Sequence, residues 1–88
     1  MDYTRLGKRI KEERLRLNLT QEKLSEKVGI STAYLGQIER GERCITLDKL
    51  IPLANYLGVT VDFLLTDYIV TDEDNNLNIL TQLFRGKT

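Results

Sequence analysis

Between Ser31 and Gly41 the sequence STAYLGQIERG carries two kinds of side chain on one short segment. Leu35 and Ile38 are apolar and three apart, the spacing of one helix face. Ser31, Thr32, Ala33, Gly36, Gln37 and Arg40 fall on the other face. These are small, hydroxyl, amide and guanidinium groups, with no carboxylate among them. Such a face suits insertion into a DNA major groove, where base edges offer donors, acceptors and the thymine methyl. It does not suit catalysis, because it holds no nucleophile–base pair and no set of metal ligands.

The preceding residues must hold that face outward. Thr20 is a good N-cap for a helix over TQEKLSEKV, although Lys23 stands where a full capping box has Glu or Gln. Leu24 and Val28 lie four apart and mark its buried side. Gly29 falls where this helix must stop, since only glycine takes the left-handed conformation there without steric cost. Ser31 then caps the second helix, and Gly41 ends it. Two helices of about two to three turns joined by a tight glycine turn make a helix-turn-helix unit.

Three more helices are predicted around this pair. The first runs from about Tyr3 to Leu17, with Leu6 and Ile10 inward and Arg5, Lys8, Arg9, Lys11 and Arg16 mostly outward. Thr46 caps a fourth helix after the loop Gly41–Ile45. Its expected inward residues are Leu47, Leu50, Ile51, Ala54 and Leu57, with Gly58 at its end. Pro52 falls inside it, but the apolar period continues through that position. Thr60 caps a short fifth helix ending near Leu65. The domain expected is residues 1–66, and 67–88 form an extension. There, Thr71 or Asp72 caps a helix from about Glu73 to Arg85, with Leu77, Leu80 and Phe84 on one face. That stripe must be covered, either by its own bundle or by a second copy of the chain. The fold class is therefore all-α: five helices plus a short C-terminal helix.

Composition narrows the function. The chain has 88 residues, enough for one small domain. No apolar run approaches the ~18–20 residues of a membrane span. The charged segment Met1–Arg16 has no apolar stretch of the kind a signal peptide needs. A single cysteine, Cys44, forms no internal disulfide, so a reducing cytoplasm is expected. Without histidine, a zinc site or histidine-based catalysis is not expected. The net charge is zero, but it is unevenly spread. Residues 1–49 hold 11 Lys and Arg against 8 Asp and Glu, and residues 50–88 hold 2 against 5. The basic half carries the helix-turn-helix, and the local field is what phosphates meet. Lys8, Lys11 and Arg16 serve equally well as solvated helix faces.

Several segments together resemble the Cro/C1-type, or Xre, helix-turn-helix family. They are Thr20-Gln21-Glu22-Lys23-Leu24, Val28-Gly29-Ile30-Ser31 and Tyr34-Leu35-Gly36-Gln37-Ile38-Glu39-Arg40-Gly41. The likeness continues through Thr46-Leu47 and Leu57-Gly58-Val59 to Asp62-Phe63-Leu64-Leu65, and spans roughly residues 5–66. Two positions depart from the common pattern. Ser25 stands where Ala is usual, and Gly36 where Ser is usual. Gly36 lowers helix propensity by up to about 1 kcal/mol relative to Ala and removes a hydroxyl.

The resemblance implies a Cro/C1 repressor-like DNA-binding domain and assigns roles. Thr32, Ala33 and Gln37 match positions that face base edges. Gln37 stands out, because its amide can pair bidentately with adenine N6 and N7. Thr20, Gln21, Ser31, Arg40 and Arg43 match or adjoin positions near the phosphate backbone. Tyr34 either reaches a phosphate through its hydroxyl or packs beside helix 4. Arg14 and Glu39 match a partly buried ion pair that holds the recognition helix at its angle.

The implied function is transcriptional regulation, in the form of repression by a homodimer on a palindromic operator. The expected partners are double-stranded DNA and a second copy of the chain, the latter through the helix 5 region and the apolar stripe Leu77, Leu80 and Phe84, which lies outside the resemblance. No cofactor, small-molecule ligand, membrane or enzymatic activity is expected. An antitoxin or restriction-modification controller shares the same signature. A protein-interaction module that does not bind DNA fits the polar groove face less well.

Overall fold

Side-chain oxygens start three of the helices. Thr20, Ser31 and Thr60 each accept a hydrogen bond from the backbone N–H three residues on, at 3.0, 3.0 and 2.9 Å. Each relieves one of the donors that a helix N-terminus leaves open. Left-handed glycines close two helices, Gly29 at φ 82° after Val28 and Gly58 at φ 76° after Leu57. In the computed structural model, which describes residues 2–68, the helices are α1 (Thr4–Arg16), α2 (Gln21–Val28), α3 (Thr32–Glu39), α4 (Leu47–Leu57) and α5 (Val61–Leu64). A 3-10 turn, Thr66–Tyr68, follows α5. There is no strand among the described residues. The all-α, five-helix expectation holds, and the expected C-terminal helix with Leu77, Leu80 and Phe84 lies outside the described residues.

α3 packs against both α1 and α2, and α4 supports α2 and α5. The core is built from Leu6, Ile10, Leu24, Val28, Leu35, Ile38, Ile45, Leu50, Leu53, Ala54, Leu57 and Leu64. Thus the inward side chains of α3 are buried by α1 and α2, which leaves its other face outside. Tyr68 fastens the end of the described chain to its beginning. Its hydroxyl accepts from the Leu6 N–H at 3.0 Å, so it satisfies an open donor of the first turn of α1.

Two expectations need correction. Leu47 and Ile51 are not inward: they are 63% and 46% exposed, and Leu53 is fully buried in their place. The α4 stripe runs Leu50, Leu53, Ala54, Leu57, the same i, i+3, i+4, i+7 period started three residues later. Leu47 instead lines an apolar recess with Tyr3, Cys44, Leu65 and Tyr68. Thr46 precedes α4 as expected but makes no side-chain cap. Its hydroxyl binds the Asp48 carboxylate and holds that group below the usual carboxylate range. Pro52 sits inside α4 on the exposed side and removes one backbone donor from the helix.

Gly7 sets the distance between α1 and α3. A Cβ there collides with the Ile38 carbonyl oxygen and comes within 2.7 Å of that of Glu39. Backbone cannot yield as a flexible side chain can. Gly7→Ala is therefore expected to destabilise the domain by about 3 kcal/mol, an overpacking cost. Gly58→Ala meets open space but a left-handed φ, and should cost only about 1 kcal/mol. Urea denaturation of the two variants tests this ranking, and equal losses contradict it.

Candidate nucleic-acid interface

One buried network fixes α3 in orientation. Arg14 of α1 meets Glu39, the last residue of α3, in a bidentate pair: Nε donates to Oε2 at 2.7 Å and Nη2 to Oε1 at 3.0 Å. The remaining guanidinium nitrogen, Nη1, donates to the Leu19 carbonyl in the α1–α2 turn at 2.7 Å. Gln21, the first residue of α2, donates its amide to Glu39 Oε1 at 2.9 Å. The two charged side chains are 8% and 2% exposed. Burying two ions offsets much of their attraction, so the pair adds little net stability. Its planar, two-bond geometry nevertheless fixes direction. Four segments meet at one carboxylate and one guanidinium, and none can rotate alone.

The outer face of α3 is only partly as expected. Ala33 is exposed and Gln37 half-buried, four residues apart and so on one side of the helix. Thr32 is half-buried, with its hydroxyl 3.1 Å from that of Ser25. Ser25 donates its own proton to the Glu22 carbonyl at 3.0 Å, so Thr32 is the donor to Ser25. In this arrangement the Thr32 hydroxyl can only accept from a base. Gly36 is not outward but buried. The Arg40 guanidinium and the Gln21 amide lie over it, 3.1 and 3.7 Å from where its Cβ would be.

The residues expected at the backbone all have partners of their own. The Thr20 and Ser31 hydroxyls accept their cap N–H groups. The Gln21 side chain is part of the Glu39 network, a position that the sequence did not reveal. The Tyr34 hydroxyl donates to the Cys44 carbonyl at 3.3 Å, and the Arg43 guanidinium lies over its ring at 5.1 Å. This cation–π contact orients an exposed arginine beside α3. Arg40 is exposed and chelated by Glu42, Nε to Oε2 at 2.9 Å and Nη2 to Oε1 at 3.2 Å. That pair holds the Glu42 carboxyl below its ordinary pKa and raises that of Arg40.

Two residues that shape the surroundings of α3 were missed in the sequence. Gly7 reads there as an ordinary helix glycine; its place between Leu6 and Ile10, on the inward side, was the available signal. Glu42 reads as loop charge, although its place two residues after Arg40 allows a local ion pair. Among the described residues, no cluster of His, Cys, Asp or Glu can hold a metal ion.

This architecture is shared with known proteins. The helix-turn-helix family profile matches residues 10–64 of the chain. The control protein C.SmaI of Serratia marcescens is 49% identical over 49 residues, which are 56% of this chain and 58% of that protein. The chain spans about half the length of the curated relatives it matches. The crystal structure of the restriction-modification controller protein C.AhdI from Aeromonas hydrophila superposes with a TM-score of 0.68 at 32% identity, covering 70% of this chain and 94% of that one. SinR, a master regulator for biofilm formation solved in complex with DNA, gives a TM-score of 0.65 at 33% identity over 68% of this chain and 97% of that one. The chain belongs to the Cro/C1-type helix-turn-helix family.

The ion pair has a distinctive energetic signature. Arg14→Met alone leaves the Glu39 carboxylate buried with only Gln21, and should cost about 3–5 kcal/mol. Replacing both, Arg14→Met with Glu39→Met, should be less destabilising than either single change. Chemical denaturation of the three variants gives the coupling. Additive losses would show the two charges to be independent.

Proposed function

We propose that this chain is a sequence-specific DNA-binding regulator of transcription. It acts as a homodimer on a two-fold-related operator and represses by occlusion. The observation that carries this reading is the outward side of α3 with exposed Ala33 and half-buried Gln37, held by the buried Arg14–Glu39 pair and free of acidic side chains. A helix presented this way enters the major groove with its outward side at the base edges. Gln37 pairs with adenine, Ala33 touches a thymine methyl, and Thr32 accepts from a base amine. Thr20, Gln21, Ser31, Tyr34, Arg40 and Arg43 lie at the phosphates on either side. Family membership and the DNA complex of SinR support this reading. The chemistry is binding and not catalysis, and the setting is the cytoplasm. Among the described residues no helix is long and apolar enough to cross a membrane.

A second reading shares the DNA site and differs in genetic role. Three of the similar proteins are named as control or controller proteins, C.SmaI, C.BamHI and C.AhdI. That favours a restriction-modification controller over an antitoxin as the alternative.

A single domain of this size has a small contact area, so a dimer supplies the specificity. The dimer surface proposed is the α5 region together with Leu77, Leu80 and Phe84. In a two-fold dimer one patch meets itself, so a single stripe serves both subunits.

Gln37→Ala should weaken binding to the duplex the protein selects by about 1–3 kcal/mol, and relax preference at one base pair per half-site. Equal loss on random DNA would move Gln37 to the backbone. Deletion of residues 71–88 should lower dimer affinity and DNA affinity together while the five helices stay folded. Sedimentation and circular dichroism test this. A truncated protein that dimerises like the full chain contradicts it.

A further inference from the structure

The Arg40 guanidinium stands at the end of α3, where a phosphate would be met, yet in the free protein it already holds an anion. Both Glu42 oxygens accept from it, at 2.9 and 3.2 Å, in the fork geometry that a phosphate would also use. Three features build this arrangement. Gly36 has no side chain, so the guanidinium can lie back over α3, 3.1 Å from the site of the missing Cβ. The Glu42 N–H donates to the Gln37 carbonyl at 2.8 Å, which fixes the loop under its own carboxylate. Finally, both side chains stay open to solvent, 59% and 54% exposed, so an incoming anion can displace the acid without any unfolding.

We propose that Glu42 is an internal competitor of the DNA phosphate for Arg40. It weakens binding to DNA of any sequence by the same factor and leaves discrimination between sequences to Ala33 and Gln37. The inference rests on the DNA-binding reading above and adds to it a residue that sets the sequence-independent part of the affinity. On binding, Arg40 exchanges one oxyanion for another, and no net ion pair is gained. An exposed pair of this kind is weak enough to be exchanged. A chain of zero net charge has little non-specific attraction for DNA, and this latch lowers it further.

The test is a mutant cycle on the full chain, using the selected duplex and a random one. Glu42→Gln keeps the shape and removes the charge. It should raise affinity for both duplexes by about two- to fivefold, the range of an exposed ion pair. The slope of log K against log salt should steepen by up to about 0.9, one further phosphate contact. With Arg40→Ala already present, Glu42→Gln should change affinity little. An equal gain with and without Arg40 would overturn the proposal in favour of general charge removal. A loss of affinity in Glu42→Gln would overturn it too, since Glu42 would then be positioning Arg40. Carbon-13 titration of the Glu42 carboxyl adds a readout without DNA: it should titrate below the ordinary range in the wild type and return to that range in Arg40→Ala. An unchanged titration overturns the latch while leaving the DNA reading intact. A wild type that binds no duplex overturns that reading, and the proposal with it.

Discussion

Arg14 and Glu39 are both buried, at 7% exposure, and neither could be buried alone. Every other feature of the proposed interface depends on that constraint. The carboxylate ends α3, the guanidinium belongs to α1, and the same two groups reach the α1–α2 turn and the start of α2. Hydrophobic contacts among Leu24, Leu35 and Ile38 are non-directional, so they draw the helices together without setting their rotation. The ion pair supplies the missing direction. It converts a close-packed bundle into one that presents a chosen face of α3.

The helix ends were legible in the sequence because their chemistry is local. Thr20, Ser31 and Thr60 cap as their types predict, and Gly29 takes the left-handed conformation that only glycine takes at low cost. The inward side of α4 was less legible. Leu47, Leu50, Ile51, Ala54 and Leu57 also form a periodic set, and only the neighbouring helices select Leu50, Leu53, Ala54 and Leu57 instead. Gly36 shows a different limit. Its position on the helix is outward by periodicity, yet the long side chains of Arg40 and Gln21 fold over it. Single-helix geometry contains no information about such cover. The Arg14–Glu39 pair was reached through resemblance to a family and not through periodicity, since its members lie 25 residues apart.

The surface around α3 is more restrained than its residue types suggest. Arg40 is held by Glu42, Arg43 lies over Tyr34, and Thr32 is committed to Ser25. The Arg43 and Thr32 contacts order a side chain before any ligand arrives, which lowers the entropy lost on binding. Each also has to be kept or exchanged when DNA is met. Among the described residues the Ala33 and Gln37 side chains carry no such commitments, and they are residues proposed to face base edges.

Selection of bound duplexes from a random pool tests the central claim most directly. The account predicts enrichment of a two-fold-symmetric site, its half-sites separated by about one helical turn, 10–10.5 base pairs, with an adenine at the Gln37 position. A pool that stays random after repeated selection, under conditions where the protein is folded, would contradict it.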